Sequence, residues 1–211
     1  MAGSPWERVA PLTGIAFIVL FVGAAIVINN YDYLPPQDEI VSFYQDNSSR
    51  VFAGGYLGMV SAVFLIWFAG SLRDHLRRVE GARGRLAAVA FGGGVAAAAA
   101  LIAAYSATVT AAQRAGTIGG IPPETATGLF DLSANLVGSG VPIALAVMLG
   151  AASVLAFREG ALPRWLAWGG AVVALGCITP VGFIFLGFAA AWILIVSLLL
   201  YRSEATAPVD G

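Results

Sequence analysis

Six apolar segments separated by short polar stretches dominate this chain and limit what it can fold into. An α-helix needs roughly 20 residues to cross the hydrocarbon core of a bilayer, which is about 30 Å thick. Six such helices fill most of 211 residues and leave no room for a separate soluble domain. The composition agrees, because 59% of the residues are hydrophobic and only 11% are charged. The sequence therefore predicts an all-α fold, a single transmembrane bundle of six helices over residues 1–211.

The limits of the last two spans follow from a length argument. The final apolar run, residues 165–201, has 37 residues, and as one helix it would be about 55 Å long, far more than a bilayer. The run contains Pro180 and Gly182, which interrupt helices, so we expect it to fold back there. The predicted spans are about 12–28, 51–72, 86–110, 129–157, 165–178 and 181–201.

The distribution of arginine predicts how the chain is threaded. The chain has eleven basic residues, and none of them is Lys. If both termini lie on the inner side, nine Arg are inside and only Arg50 and Arg114 are outside. The inner nine are Arg8, Arg73, Arg77, Arg78, Arg83, Arg85, Arg158, Arg164 and Arg202. Arg-rich loops stay in the cytoplasm, so we expect both termini there. The Ala-, Gly- and Arg-rich composition favours a bacterial plasma membrane.

A short helix is predicted in the first outer loop, over residues 37–49. Ile40, Val41, Phe43 and Tyr44 give this stretch an apolar face, but it has only about three turns. We expect it to lie along the outer interface as a lid or strut.

Small residues predict where helices come close together. Lipid gives helices no hydrophobic drive to associate, so their contacts depend on close backbone approach. We expect such contacts at Gly54 and Gly58, in the run Gly92-Gly93-Gly94, and at Gly169-Gly170. The Ala-rich third span is then expected at the centre of the bundle.

Polar residues in the outer half of the bundle predict a ligand site. Asp131, Asn135 and Ser139 are spaced by four residues and share one helical face. We expect them to face an outward-open cavity between the third and fourth spans. The six candidate residues are Asp131, Asn135, Ser139, Tyr105, Tyr56 and Arg114. The alternative is structural: Asp131 lies at headgroup level as a helix N-terminal acid with Arg114 as its partner, and Asn135 and Ser139 bond neighbouring helices.

Residues for other chemistry are scarce. The absence of Lys excludes a Schiff base on that side chain. Cys177 is the only cysteine, so it cannot form an intrachain disulfide, and His75 is the only histidine, in an Arg-rich loop. We expect no cofactor, no metal and no nucleic-acid partner.

The last helical hairpin resembles that of a known group of proteins. Residues 161–169, Ala-Leu-Pro-Arg-Trp-Leu-Ala-Trp-Gly, and residues 191–195, Ala-Trp-Ile-Leu-Ile, leading to Arg202, are similar to the closing hairpin of a group of small, uncharacterised bacterial six-span membrane proteins. The stretch 47–78 resembles the same group more loosely. The resemblance implies the six-span fold and no activity.

Three hypotheses for function follow. The first is non-catalytic binding of a lipid-like or apolar small molecule, of a partner membrane protein, or of a second copy of the chain. The second is a small transporter or channel with a polar path along Asp131. The third is an integral membrane enzyme that uses Asp131 as acid or base, for which no second carboxylate, His or metal set is evident.

Overall fold

The computed structural model describes residues 9–29, 35–117 and 120–205, so Arg8 lies outside the described residues. These residues form six α-helices. They are α1 (Thr13–Ile28), α2 (Gln37–Glu80), α3 (Arg85–Ala115), α4 (Pro123–Glu159), α5 (Arg164–Cys177) and α6 (Phe185–Ala205). Short 3-10 turns lie at Ala10–Leu12, Gly81–Arg83 and Gly182–Ile184. The described ranges contain no β-strand, which confirms the all-α class.

Five helical segments of the described chain are long and apolar enough to cross a membrane. They are Ala10–Ile28, Gln37–Glu80, Arg85–Ala115, Pro123–Glu159 and Gly182–Ser203. The remaining helix, α5, has 14 residues and is therefore about 21 Å long, shorter than the hydrocarbon core. The predicted break near Pro180 is confirmed, because α5 ends at Cys177 and α6 begins at Phe185. The chain thus has the helices of a multi-pass membrane protein.

The helix ends that carry most of the arginines lie together. His75, near the end of α2, has its Nε2 2.8 Å from the carbonyl oxygen of Ala161, in the connection between α4 and α5. We call this the Arg-rich end of the bundle, and it includes Arg73, Arg77, Arg78, Arg85, Arg158, Arg164 and Arg202. The opposite end is formed by the start of α2, the end of α3 and the start of α4.

Helix α3 lies between α2 and α4. The predicted position of this span at the centre of the bundle is not confirmed, because α4 is the more buried helix. A Cβ added to Gly58 of α2 would overlap the ring of Tyr105 on α3. On the other side of α3, a Cβ on Gly93 would lie 2.5 Å from the backbone nitrogen of Met148 and 2.9 Å from the carbonyl oxygen of Ala144. Real Cβ contacts are never this short, so these glycines let the backbones approach.

The glycine prediction holds for some positions and fails for others. Gly54, Gly58, Gly93 and Gly94 are all buried at helix contacts, which confirms their role. Gly92 and Gly169 were predicted at contacts as well, and this is wrong, since nothing lies within 4 Å of a Cβ at either position. In a run of small residues, successive positions point about 100° apart around the helix, so only some can face a neighbour.

The short helix predicted over residues 37–49 is present as residues 37–46. It joins the rest of α2 at a kink at Asn47, where φ is −122° and ψ is 16°. Its apolar face packs on protein and not on lipid, because Ile40 and Tyr44 are each only 2% exposed. We call the resulting assembly the cap: residues 37–51 of α2, 108–115 of α3 and 121–135 before and along α4. Its buried residues are Ile40, Tyr44, Val51, Ala111, Ala112, Ala115, Ile121, Ala126 and Phe130. Burial raises the pKa of Tyr44 to about 12.

The two neighbouring glycines of α3 allow a matched test of close packing. We expect Gly93→Ala to destabilise the bundle by about 1–3 kcal/mol, because the new methyl group overlaps the α4 backbone. Gly92→Ala adds the same methyl group in open space, so it should leave stability unchanged or raise it by up to about 1 kcal/mol. Thermal unfolding of both variants in one detergent, followed by circular dichroism, measures the difference. Equal melting temperatures for the two variants would contradict the packing of α3 on α4.

Candidate polar site at the cap end of α4

Helix α4 has two segments that meet at a local irregularity. Pro123–Asn135 and Val141–Glu159 are regular α-helix, and Leu136–Gly140 between them forms a π-helical turn. Pro142 has no backbone N–H to donate to the carbonyl of Gly138, which removes one α-helical bond. The N–H of Val141 instead donates to the carbonyl of Leu136, five residues back. Such π turns are rare and frequently lie at functional sites.

The two segments of α4 have different neighbours. The segment Pro123–Asn135 packs on α2 and α3, whereas Val141–Glu159 packs on α3 and α5. The π turn packs on the Gly182–Ile184 turn before α6, where a Cβ on Gly182 would lie 3.2 Å from the Cβ of Pro142. The hairpin of α5 and α6 therefore closes beside the π turn, and the cap segment of α4 extends beyond it.

Ser133 lies at the contact between α3 and the cap segment of α4, Pro123–Asn135. Its Oγ lies 2.8 Å from the Oγ of Thr108 on α3, and Thr108 also bonds the carbonyl of Ala104. Asp131 and Asn135 are each two residues from Ser133, which is about 200° around a helix. Both therefore lie on the side of α4 that faces away from α3, and both are exposed, as is Ser139.

The prediction of a cavity between the third and fourth spans is thus wrong, although the prediction that the three residues share one side of the helix is correct. Asp131, Asn135 and Ser139 share an exposed side of α4, as their spacing indicates. That side is turned outward, since Ser133 on the opposite face of α4 meets Thr108 of α3. The polar residues that do meet between α3 and α4 were not among the candidates.

The other three candidate residues lie apart from this side of α4. Tyr105 is 6% exposed, and its ring packs on Gly58 between α2 and α3. Tyr56 is 59% exposed on α2 and stacks on Phe52, with ring centroids 6.4 Å apart. Arg114 is exposed in the last turn of α3. The structure therefore does not bring the six candidates together in one site, and a role for any of them in ligand binding stays a prediction.

Two exposed surfaces meet where the π turn of α4 packs on the turn before α6, and we call them the polar wall and the apolar floor. The wall is the exposed side of α4, with Glu124, Asp131, Asn135 and Ser139. The floor is the turn between α5 and α6, where Ile178, Val181 and Ile184 are 62%, 48% and 54% exposed. We call this arrangement the polar step. Glu124 was not predicted, although its spacing of seven residues from Asp131, two helical turns, places it on the same side.

The only cysteine of the chain borders the polar step, next to Ile178 of the floor. Within the described ranges, no group of three His, Cys, Asp or Glu side chains could hold a metal ion. Cys177 is a free thiol and is buried. His75 lies at the opposite, Arg-rich end, on the carbonyl of Ala161.

Comparisons of the chain with protein-family models, with curated proteins and with solved structures found no match. The resemblance of the closing hairpin to a group of six-span bacterial proteins therefore stays a prediction.

Ser133 and Asn135 test which side of α4 faces the bundle. Ser133→Ala removes the hydrogen bond to Thr108 and leaves that buried hydroxyl with its weaker partner at Ala104, so we expect a loss of about 0.6–1.7 kcal/mol. Asn135→Ala changes an exposed side chain, and we expect a change within about 0.5 kcal/mol. Unfolding of both variants in detergent by denaturant titration measures these values. A larger loss for Asn135→Ala than for Ser133→Ala would reverse the assigned faces.

Proposed function

We propose that this is a six-span protein of the bacterial plasma membrane, with both termini in the cytoplasm, that binds a lipid-like molecule at the polar step without transforming it. The observation that carries the proposal is the contact between the π turn of α4, next to the polar wall, and the exposed apolar turn of α5 and α6. An amphiphile has the same division into polar and apolar parts, so both halves of the step find matching groups in one ligand.

The depth of the step in a bilayer supports a headgroup on the wall. Counting about 20 residues from Glu159, at the Arg-rich end of α4, reaches the level of Ser139. Asp131 is eight residues further along and so stands about 12 Å beyond that level. The large cost of a charged side chain applies to the bilayer centre, so an acidic residue is tolerated at this depth.

The charge of the wall indicates which headgroup it prefers. Glu124 and Asp131 are both carboxylates on the exposed side of α4, and neither is in a salt bridge with another described residue. An ammonium group complements them, and the amide of Asn135 and the hydroxyl of Ser139 supply hydrogen bonds to a phosphate. Phosphatidylethanolamine combines these groups.

Binding without reaction is proposed because His75 lies at the Arg-rich end and the thiol of Cys177, beside the floor, is buried. A general acid or base must lie within hydrogen-bond reach of the proton that it transfers. Transport is disfavoured by the inner segment of α4, whose buried residues are apolar except for Ser153 and include Met148, Leu149 and Leu155.

The proposed orientation of the protein in the membrane is supported only by the distribution of arginine, so it has its own test. Single cysteines are placed at Ala82 and Asp38, both exposed, in a Cys177→Ala background. We expect an impermeant maleimide added to intact cells or spheroplasts to label position 38 and to leave position 82 unlabelled until the membrane is opened. Labelling of position 82 from outside, with position 38 protected, would invert the topology.

Lipid retention tests the proposed ligand. The protein is reconstituted in nanodiscs of phosphatidylcholine with phosphatidylethanolamine, released gently, and weighed by native mass spectrometry. We expect enrichment of phosphatidylethanolamine on the wild-type protein and its loss in Asp131→Asn, because the carboxylate that holds the ammonium is gone. Asp38→Asn removes an exposed acid from the same end of the bundle and should retain the lipid. No enrichment on the wild type, or an equal loss in both variants, would refute the polar step as a lipid site.

A further inference from the structure

A second feature lies at the opposite end of the bundle, at the corner where α2 meets α3. The guanidinium carbon of Arg73 lies 5.6 Å from the ring centroid of Phe91 on α3, within the range of a cation–π contact. Arg73 follows directly after the apolar part of α2, which ends at the fully buried Leu72. A cation held on an aromatic ring at this position keeps a defined orientation at the level of lipid headgroups.

Arg77 lies on the same side of the corner. It is one helical turn after Arg73 and is exposed, and its Cγ and Nε are 3.9 Å from the Cβ position of Gly84 before α3. Residues four apart share a helical face, so both guanidinium groups face the α3 side of the corner. Arg85 begins α3 and is exposed beside them.

The carboxylate of Glu80, near this corner, is bound to the start of α3. Oε1 and Oε2 of Glu80 each accept a 2.9 Å hydrogen bond, from the backbone N–H groups of Leu86 and Ala87. Desolvation raises the pKa of the Glu80 carboxyl, but hydrogen bonds from the N–H groups of Ala87, Leu86 and Arg85 outweigh it and lower the pKa below its ordinary value. The ionised Glu80 therefore caps the start of α3, and no described carboxylate forms a salt bridge with Arg73 or Arg77.

Surface that no side chain fills lies on α2 and α3 near this corner, and we call it the groove. Gly70 lies one turn before Arg73 on α2, and Gly92 follows Phe91 on α3. Nothing lies within 4 Å of a Cβ at either position. Two helix surfaces that lack side chains at the same level leave room for an extended chain between their neighbours.

We propose that this corner is a binding site for an anionic phospholipid. The phosphate lies on the guanidinium groups of Arg73 and Arg77, and one acyl chain lies along Gly70 and Gly92. Arg is suited to phosphate because its planar fork donates two parallel hydrogen bonds. The site does not depend on the proposed function, since it differs from the polar step in its end of the bundle, its charge and its ligand.

Native mass spectrometry from nanodiscs of phosphatidylcholine with phosphatidylglycerol tests the site. We expect the wild-type protein to retain phosphatidylglycerol preferentially. Arg73→Gln should reduce this retention about fivefold, the effect of removing one Arg–headgroup attraction. The matched control is Arg158→Gln, which removes an exposed charge from the same end of the bundle but on α4. It should change retention by less than about twofold.

The variant Gly92→Leu tests the groove independently of the arginine charges. It keeps every arginine and fills the open space, so retention of phosphatidylglycerol should fall although the net charge is unchanged. Melting temperatures of all variants identify any loss that comes from unfolding. Equal effects of Arg73→Gln and Arg158→Gln, or no effect of Arg73→Gln, would overturn the site, and an unchanged Gly92→Leu would overturn the groove. Retention of phosphatidylethanolamine, measured on the same variants, reports binding at the polar step. It should not change, because the polar step lies at the opposite end of the bundle.

Discussion

Close backbone approach on both sides of α3 is the constraint on which the rest of the structure depends. Gly58 admits the ring of Tyr105 between α2 and α3, and Gly93 admits the backbone of α4 at Met148. Lipid tails are as apolar as the side chains, so van der Waals contact and not the hydrophobic effect holds these helices together. Because α2, α3 and α4 are locked side by side, their ends meet as the cap and bury Tyr44 there.

Two prolines determine where the cap segment of α4 extends past the α5–α6 hairpin. Pro142 produces the π turn of α4, and Pro180 lies in the turn that ends α5. The two irregular regions pack on one another through Pro142 and Gly182, so the α5–α6 hairpin closes at the point where α4 changes its helical pattern. The cap segment of α4 consequently has no hairpin beside it, and this difference in height forms the polar step. The Arg-rich end has the reverse charge, with Glu80 engaged by the start of α3 and Arg73 held on Phe91.

Several elements could be predicted from the sequence because they follow from period, length and composition. The fold-back near Pro180 is required because a single helix of 37 residues is far longer than the bilayer. The alignment of Asp131 with Asn135 and Ser139 follows from the helical repeat. The short outer helix was predicted with the correct apolar face, but Ile40 and Tyr44 pack on α3 and α4 and not along a membrane surface. Amphipathic pattern shows that a face is covered and does not show what covers it.

The sequence by itself determined that the chain is helical, that its helices are long and apolar enough for a membrane, and which positions are small enough for close contact. Each of these is a property of a residue and its near neighbours along the chain. Only the tertiary structure decided that Gly93 meets α4 while Gly92 does not, and that Ser133, two residues from Asn135, faces α3. Rotation of a helix about its own axis changes every contact while leaving its hydrophobicity and length unchanged. That rotation is fixed by the packing of all neighbours together, so the outward direction of Asp131 could not be predicted from spacing alone.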